Sequence, residues 1–171
     1  PVKPGRNREF IQCDVDMVGV SSVMAEAELM MMAIEAYKML GLDVYISYNN
    51  RKLLSGIIEF VGIEPAFVSQ VILTIDKLEK IGGAGVESEL LQLGVAESKI
   101  NMLLNYMKMQ SDELVATLAS KGKNELVNQG IKELAELDSY IDCLGIRNTL
   151  QFSPCLARGL EIYTGTVWEV F

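Results

Sequence analysis

Two short segments near opposite ends of the chain carry residue types that could do chemistry on a nucleotide. In Gly5-Arg6-Asn7-Arg8-Glu9-Phe10-Ile11-Gln12-Cys13-Asp14-Val15-Asp16, two guanidiniums precede an aromatic ring. Arginine forks pair with phosphate oxygens and a ring face stacks on a base, so Arg6, Arg8 and Phe10 suit a nucleoside triphosphate. Gln12 and Asp16 follow four residues apart. On a strand both project to one face, where they could receive an ammonium or a donor-rich side chain. The same residues also read as a surface loop of solvated arginines leading into a strand whose aspartates face water, and spacing alone does not choose. The second segment is Leu156-Ala157-Arg158-Gly159-Leu160-Glu161-Ile162-Tyr163-Thr164-Gly165-Thr166-Val167-Trp168-Glu169. An arginine beside a glycine is sterically open to a ligand, and Tyr163 and Thr166 offer hydroxyls nearby. Alone, it reads equally as a turn and a strand with an ordinary exposed arginine.

Composition narrows the chemistry further. There is no histidine, so imidazole catalysis and histidine metal ligation by these residues are excluded, leaving Arg, Asp, Glu, Gln and Tyr. Cys13, Cys143 and Cys155 are an odd set without CxxC spacing. That argues against a zinc site or a disulfide framework and makes a reducing cytosol the natural compartment. A net charge of −8 speaks against a broad nucleic-acid surface while leaving room for local basic groups such as Arg6, Arg8, Arg51 and Lys52. Apolar runs are interrupted by Glu26, Glu28, Glu35 and Lys38, and none approaches the ~20 residues of a membrane span. The chain opens Pro1-Val2-Lys3-Pro4 with no leader pattern after it, so we expect a soluble protein without a signal peptide.

The elements that must position these residues follow from periodicity. Phe10 to Val18 alternates, predicting a strand with Phe10, Gln12, Asp14 and Asp16 on a polar face and Ile11, Cys13, Val15 and Met17 on a core face. Met24 to Leu40 predicts a helix, apolar around most of its girth and therefore largely buried. Val44 to Tyr48 predicts a strand ended by Asn49-Asn50, and Lys52 to Val61 a helix. Helical spacing then runs over 66–81, broken by Gly82, Gly83 and Gly85, and resumes over 87–92, 97–109, 112–120 and 124–144. Strands are predicted again at 149–152 and 162–171. Sheet material at both ends with helices between predicts an α+β fold: residues 1–61 and 146–171 form a core, and residues 62–145 form an all-helical insertion.

Taken together, the two segments resemble the histidyl-tRNA synthetase family. The arginine–aromatic run resembles the later part of class II motif 2, and Leu156 to Gly165 resembles the family's own histidine motif. Asn50-Arg51-Lys52-Leu53-Leu54-Ser55-Gly56, Ile75-Asp76-Lys77-Leu78-Glu79-Lys80 and Leu144-Gly145-Ile146 match in the family's order. The resemblance implies part of a class II catalytic domain on an antiparallel sheet, in a cytoplasmic homodimer, with the helical insertion near the tRNA acceptor stem. Histidine would be activated with ATP, accompanied by Mg2+, and passed to tRNA(His).

By position in the motifs, Arg6 and Arg8 would lie on the ATP phosphates and Phe10 on adenine. Gln12, Asp16 and Tyr163 would bind histidine, and Arg158 would face both the α-phosphate and the substrate carboxylate. Ile162 stands where the family commonly has the first of two tyrosines, and Glu161 replaces its usual aspartate. The resemblance also implies an internal fragment that begins within the motif 2 loop, lacks motif 1, motif 3 and the anticodon-binding domain, and is inactive alone. A second reading is a synthetase-like, histidine-binding regulatory subunit of the ATP phosphoribosyltransferase type. A third is a helical module that serves only as an interaction platform.

Overall fold

The computed structural model describes residues 9–121, 124–158 and 162–171. Helix α1 (Met24–Met39) leads to strand β1 (Ile46–Asn50), whose last residue starts helix α2 (Arg51–Phe60) without an intervening loop. A 3₁₀ turn at Pro65–Phe67 opens a run of helices: α3 (Val68–Ile75), α4 (Leu78–Gln92), α5 (Glu97–Tyr106), α6 (Ser111–Lys121) and α7 (Glu125–Leu144). Strands β2 (Leu150–Phe152) and β3 (Thr166–Val170) complete an α+β fold. The sheet order is β2-β1-β3. β3 runs antiparallel to β1 with Asn50 opposite Thr166 and Tyr48 opposite Trp168, whereas β2 runs parallel to β1 with Tyr48 opposite Phe152.

Asn50 makes the direct passage from strand to helix possible. Its backbone is extended, and its side-chain oxygen accepts from the amides of Lys52 (2.9 Å) and Leu53 (3.2 Å), satisfying donors that a helix start leaves open. Its amide nitrogen donates to Glu133 Oε2 on α7 at 2.7 Å. Lys52 pairs with the other oxygen of that carboxylate, Oε1. α2 and α7 then approach closely through glycines. A Cβ on Gly130 would stand 2.5 Å from the Leu53 amide nitrogen, and one on Gly56 would stand 2.7 Å from that of Val127. α7 ends at Gly145, whose φ of 69° suits the left-handed cap that glycine adopts without Cβ strain.

The core is continuous from Met30 of α1 through Ile46, Leu54 and Ile58 to Ile72, Leu90, Ile100 and Leu137. The C-terminal end of α7 is tied to the sheet by a polar network. Arg147 Nη1 and Tyr48 Oη both donate to Asp138 Oδ1, at 2.6 and 2.8 Å, and Arg147 Nε donates to Asp142 at 2.8 Å. Burial, followed by the hydrogen bond to the Asp138 carboxylate, pushes the Tyr48 hydroxyl above its usual range.

Four expectations change. Residues 10–18 form no strand; Ile11 (95% exposed) and Val15 (55%) face solvent where a core face was expected. Alternation marks a strand only when a neighbouring strand takes up its backbone hydrogen bonds, and none is beside this segment among the described residues. α1 buries Ala25, Ala27 and Met30 but exposes Met32, Met39 and the following Leu40, so it is packed on one side only. The helix expected over 66–81 is already interrupted at Asp76-Lys77, between α3 and α4, and the expected break at the glycines is seen as a non-helical φ of 69° at Gly82 inside α4. The final strand is also shorter than expected, starting at Thr166.

Candidate active-site cleft

β1 lies between β2 and β3, and the connection between those two outer strands carries Arg158 and Tyr163. Its first part is held by Asn49, a 1% exposed side chain on β1 that donates to the carbonyl oxygens of Pro154 (3.1 Å) and Leu156 (2.9 Å). Arg51 follows, donating from Nη1 to the carbonyl oxygen of Arg158 at 2.8 Å. The Arg51 amide donates to the carbonyl oxygen of Gly165 at 2.7 Å. The described parts of the connection are thus fixed to the strand–helix junction at both ends.

Arg158 reaches into a cleft of about 510 Å³ that Tyr163, Thr166, Trp168, Glu169, Tyr37 and Val15 also line. A smaller cleft of about 210 Å³, with Asp76, Glu79 and Lys80 in its wall, shares Arg158 and Glu169 with the larger one. The two shared residues form an ion pair, Arg158 Nη1 to Glu169 Oε1 at 3.1 Å, with side chains 41% and 43% exposed. A pair this open contributes about 0–1 kcal/mol, so an anionic ligand that takes both forks of the guanidinium can displace the carboxylate. Thr166 Oγ1 is buried without a hydrogen-bond partner, an unmet polar atom on a residue of the same cleft wall.

Of the residues expected to act together, Arg158 and Tyr163 do meet in one cleft. Phe10, Gln12 and Asp16 do not line it; Phe10 is 73% exposed, Asp16 is exposed, and Gln12 donates to Asp14 Oδ1 at 2.8 Å in the open. From that segment Val15 lines the cleft, and Cys13 and Val15 lie over an apolar groove formed by α1 and β3. Both faces of the segment are exposed, and of the expected core face only Cys13 and Val15 lie against other parts of the chain. Arg6 and Arg8 lie outside the described residues. Asn49 and Glu169 were not anticipated. Asn49 had a weak signal, a second asparagine just before a helix cap, whereas a glutamate in a strand has none. No three acidic or cysteine side chains gather among the described residues to hold a metal. Nor is any helix there long and apolar enough to cross a membrane.

The profile of the histidyl-tRNA synthetase family matches residues 1–171. The histidine–tRNA ligase 1 of Bacillus cereus is 49% identical over 171 residues, covering 100% of this chain and 40% of the relative. The chain therefore spans about 40% of the length of such curated relatives. The crystal structure of histidyl-tRNA synthetase from Nostoc sp. PCC 7120 superposes with a TM-score of 0.80 at 29% identity, over 87% of this chain and 36% of that one. An ATP phosphoribosyltransferase regulatory subunit/histidyl-tRNA synthetase from Bacillus halodurans shares the fold, with a TM-score of 0.73 at 15% identity over 90% of this chain and 40% of that one. With the whole sequence matched by the family profile and the arginine–tyrosine cleft formed by the segment that first suggested it, this chain belongs to the histidyl-tRNA synthetase family.

Proposed function

We propose that this chain is the part of a histidine–tRNA ligase that presents the α-phosphate arginine to the reacting groups. A histidine carboxylate oxygen attacks the α-phosphorus of ATP, the bond to pyrophosphate breaks, and histidyl-adenylate forms. A hydroxyl of the terminal adenosine of tRNA(His) then attacks the histidyl carbonyl, and AMP leaves. Arg158 contacts the α-phosphate and the substrate carboxylate, where a fixed cation offsets the charge that builds on the phosphoryl oxygens and holds the reactants in line. The observation that carries this reading is that Arg158 and Tyr163 line one open cleft, with the Arg158 guanidinium held, among the described residues, by a half-exposed ion pair.

In this reading Arg6 and Arg8 bind the ATP phosphates, Phe10 stacks on adenine, and Gln12, Asp16 and Tyr163 receive histidine. For Gln12 and Asp16 to do so, residues 10–18 must become a paired strand and turn their polar face toward Arg158. Mg2+ would accompany ATP, held by its phosphates; among the described residues no acidic or cysteine cluster gathers to hold a metal. Residues 62–145 act as a helical insertion that faces the tRNA acceptor stem: the chain leaves the sheet after α2 and returns to it at β2. The working protein is a cytoplasmic homodimer.

The test is histidine-dependent ATP–pyrophosphate exchange by the protein extended to the length of its relatives. Exchange with histidine and not with other amino acids supports the ligase. Histidine binding without exchange supports the regulatory-subunit reading, which has in its favour a shared fold at 15% identity. The 49% identity to a ligase favours the enzyme.

A further inference from the structure

The Arg158 side chain is anchored only weakly at its tip, so the place where its guanidinium stands depends on the main chain beneath it. That main chain is held from the junction of β1 and α2. Arg51, the first residue of α2, donates its guanidinium Nη1 to the carbonyl oxygen of Arg158 at 2.8 Å. Its amide donates to the carbonyl oxygen of Gly165, the residue before β3, at 2.7 Å. Asn49 secures the approach through the carbonyls of Pro154 and Leu156. The strand–helix junction is among the best buried polar positions of the chain, with Asn49 1% and Asn50 0% exposed.

We propose that Arg51 is a positioning residue for Arg158: its guanidinium fixes the Arg158 carbonyl and thereby sets where the Arg158 side chain enters the cleft, with Asn49 as its companion. The proposal rests on the reading of Arg158 given under Proposed function. A guanidinium-to-carbonyl bond is charge-assisted and directional, and a long side chain amplifies any tilt of its own peptide. Displacing a reacting group by about 1 Å costs on the order of 100-fold in rate, which makes a clamp one residue removed from the chemistry kinetically visible.

The experiment uses the protein extended to the length of its relatives and compares Arg51→Ala, Arg51→Lys, Arg158→Ala and the double variant Arg51→Ala/Arg158→Ala. Lys52→Ala serves as the stability control, because Lys52 pairs with Glu133 at the same junction and, among the described residues, its ammonium is hydrogen-bonded there and not to residues 154–158. Arg51→Ala is expected to lower kcat of exchange by roughly 10- to 100-fold with a smaller change in KM for ATP. Arg51→Lys restores part of it, and Arg51→Ala adds nothing in the Arg158→Ala background, as a residue acting through another must behave. Lys52→Ala, compared at equal loss of Tm, keeps kcat near wild type.

Equal kcat losses in Arg51→Ala and Lys52→Ala, or effects of Arg51→Ala and Arg158→Ala that multiply, overturn the proposal. Should Arg51→Ala fail to fold, Arg51→Gln carries the same comparison. If the wild-type protein shows no exchange, the ligase reading fails. The clamp is then judged by amide hydrogen exchange over residues 154–158: faster exchange in Arg51→Ala with α2 unchanged supports it, and unchanged protection overturns it.

Discussion

Arg158 and Cys155 sit three residues apart on one stretch of chain and have opposite surroundings. Arg158 keeps its guanidinium at the cleft surface, paired with Glu169; in the proposed ligase it trades that carboxylate for a phosphate. Removing a donor aimed at developing phosphoryl charge costs about 3 kcal/mol of barrier, so Arg158→Ala should lower exchange by at least ~100-fold in the extended protein, read as kcat with ATP and histidine saturating. Cys155 is turned inward, its Sγ 3.0 Å from the carbonyl oxygen of Met107. Burial, followed by the nearby Glu79 charge, pushes its thiol from 9.0 up to about 11. Iodoacetamide at pH 8 should therefore label the exposed Cys13 and Cys143 and spare Cys155, as peptide mass spectrometry would resolve. The sign for stability follows. The folded thiol keeps its proton where the unfolded one has lost it, so this contribution is full below about pH 8.5 and is lost as pH rises toward 11.

At the level of elements, α2 and α7 hold the site because they touch the strand that anchors it. Their contact depends on missing side chains. Gly130→Ala would force Cβ against the Leu53 backbone at 2.5 Å, and backbone cannot swing aside as a side-chain tip can. We expect a loss of about 1–3 kcal/mol or more in urea unfolding. Asn50→Ala removes the α2 cap and the bond to Glu133 together, for which about 1–2 kcal/mol is expected by the same measurement. Helix positions were legible because 3.6-residue periodicity and caps are local: the helix expected over 124–144 appears as Glu125–Leu144 with Asn124 as its cap. That a glycine inside α7 exists for Leu53, 77 residues earlier, is not local and left no mark in the periodicity. The strand expected over 10–18 shows the reverse case. Its alternation is real in the sequence, but a strand is completed by a partner, and its Cys13 and Val15 came to rest over α1 and β3 instead.

For the molecule as a whole, length sets the expectation. The chain covers 40% of a relative such as the Bacillus cereus ligase. Arg158 and Tyr163 share a cleft that Phe10, Gln12 and Asp16, all exposed, do not line. We therefore predict that the 171-residue chain gives no histidine-dependent exchange and that the extended protein does. Activity in the short chain would show that residues 10–18 can close the site unaided. The single tryptophan offers a direct view, since Trp168 lines the cleft. Its emission should shift on adding a nonhydrolysable histidyl-adenylate analogue to the extended protein and should not shift in the 171-residue chain.

By itself, the sequence determined the helices, the α+β class and that no histidine side chain is present in these 171 residues, and it singled out the segment around Arg158. These follow from residue types, local spacing and motif order, which do not depend on where distant parts of the chain settle. Only the tertiary structure decided that Arg158 pairs with Glu169, that Asn49 and Arg51 grip the main chain under it, and that residues 10–18 are exposed on both faces instead of paired in the sheet. Asn49 and Arg51 lie 107 residues before the carbonyls of Leu156 and Arg158 that they hold. Those pairings exist because β1 runs between β2 and β3, and a one-dimensional pattern carries no record of which strand lies beside which.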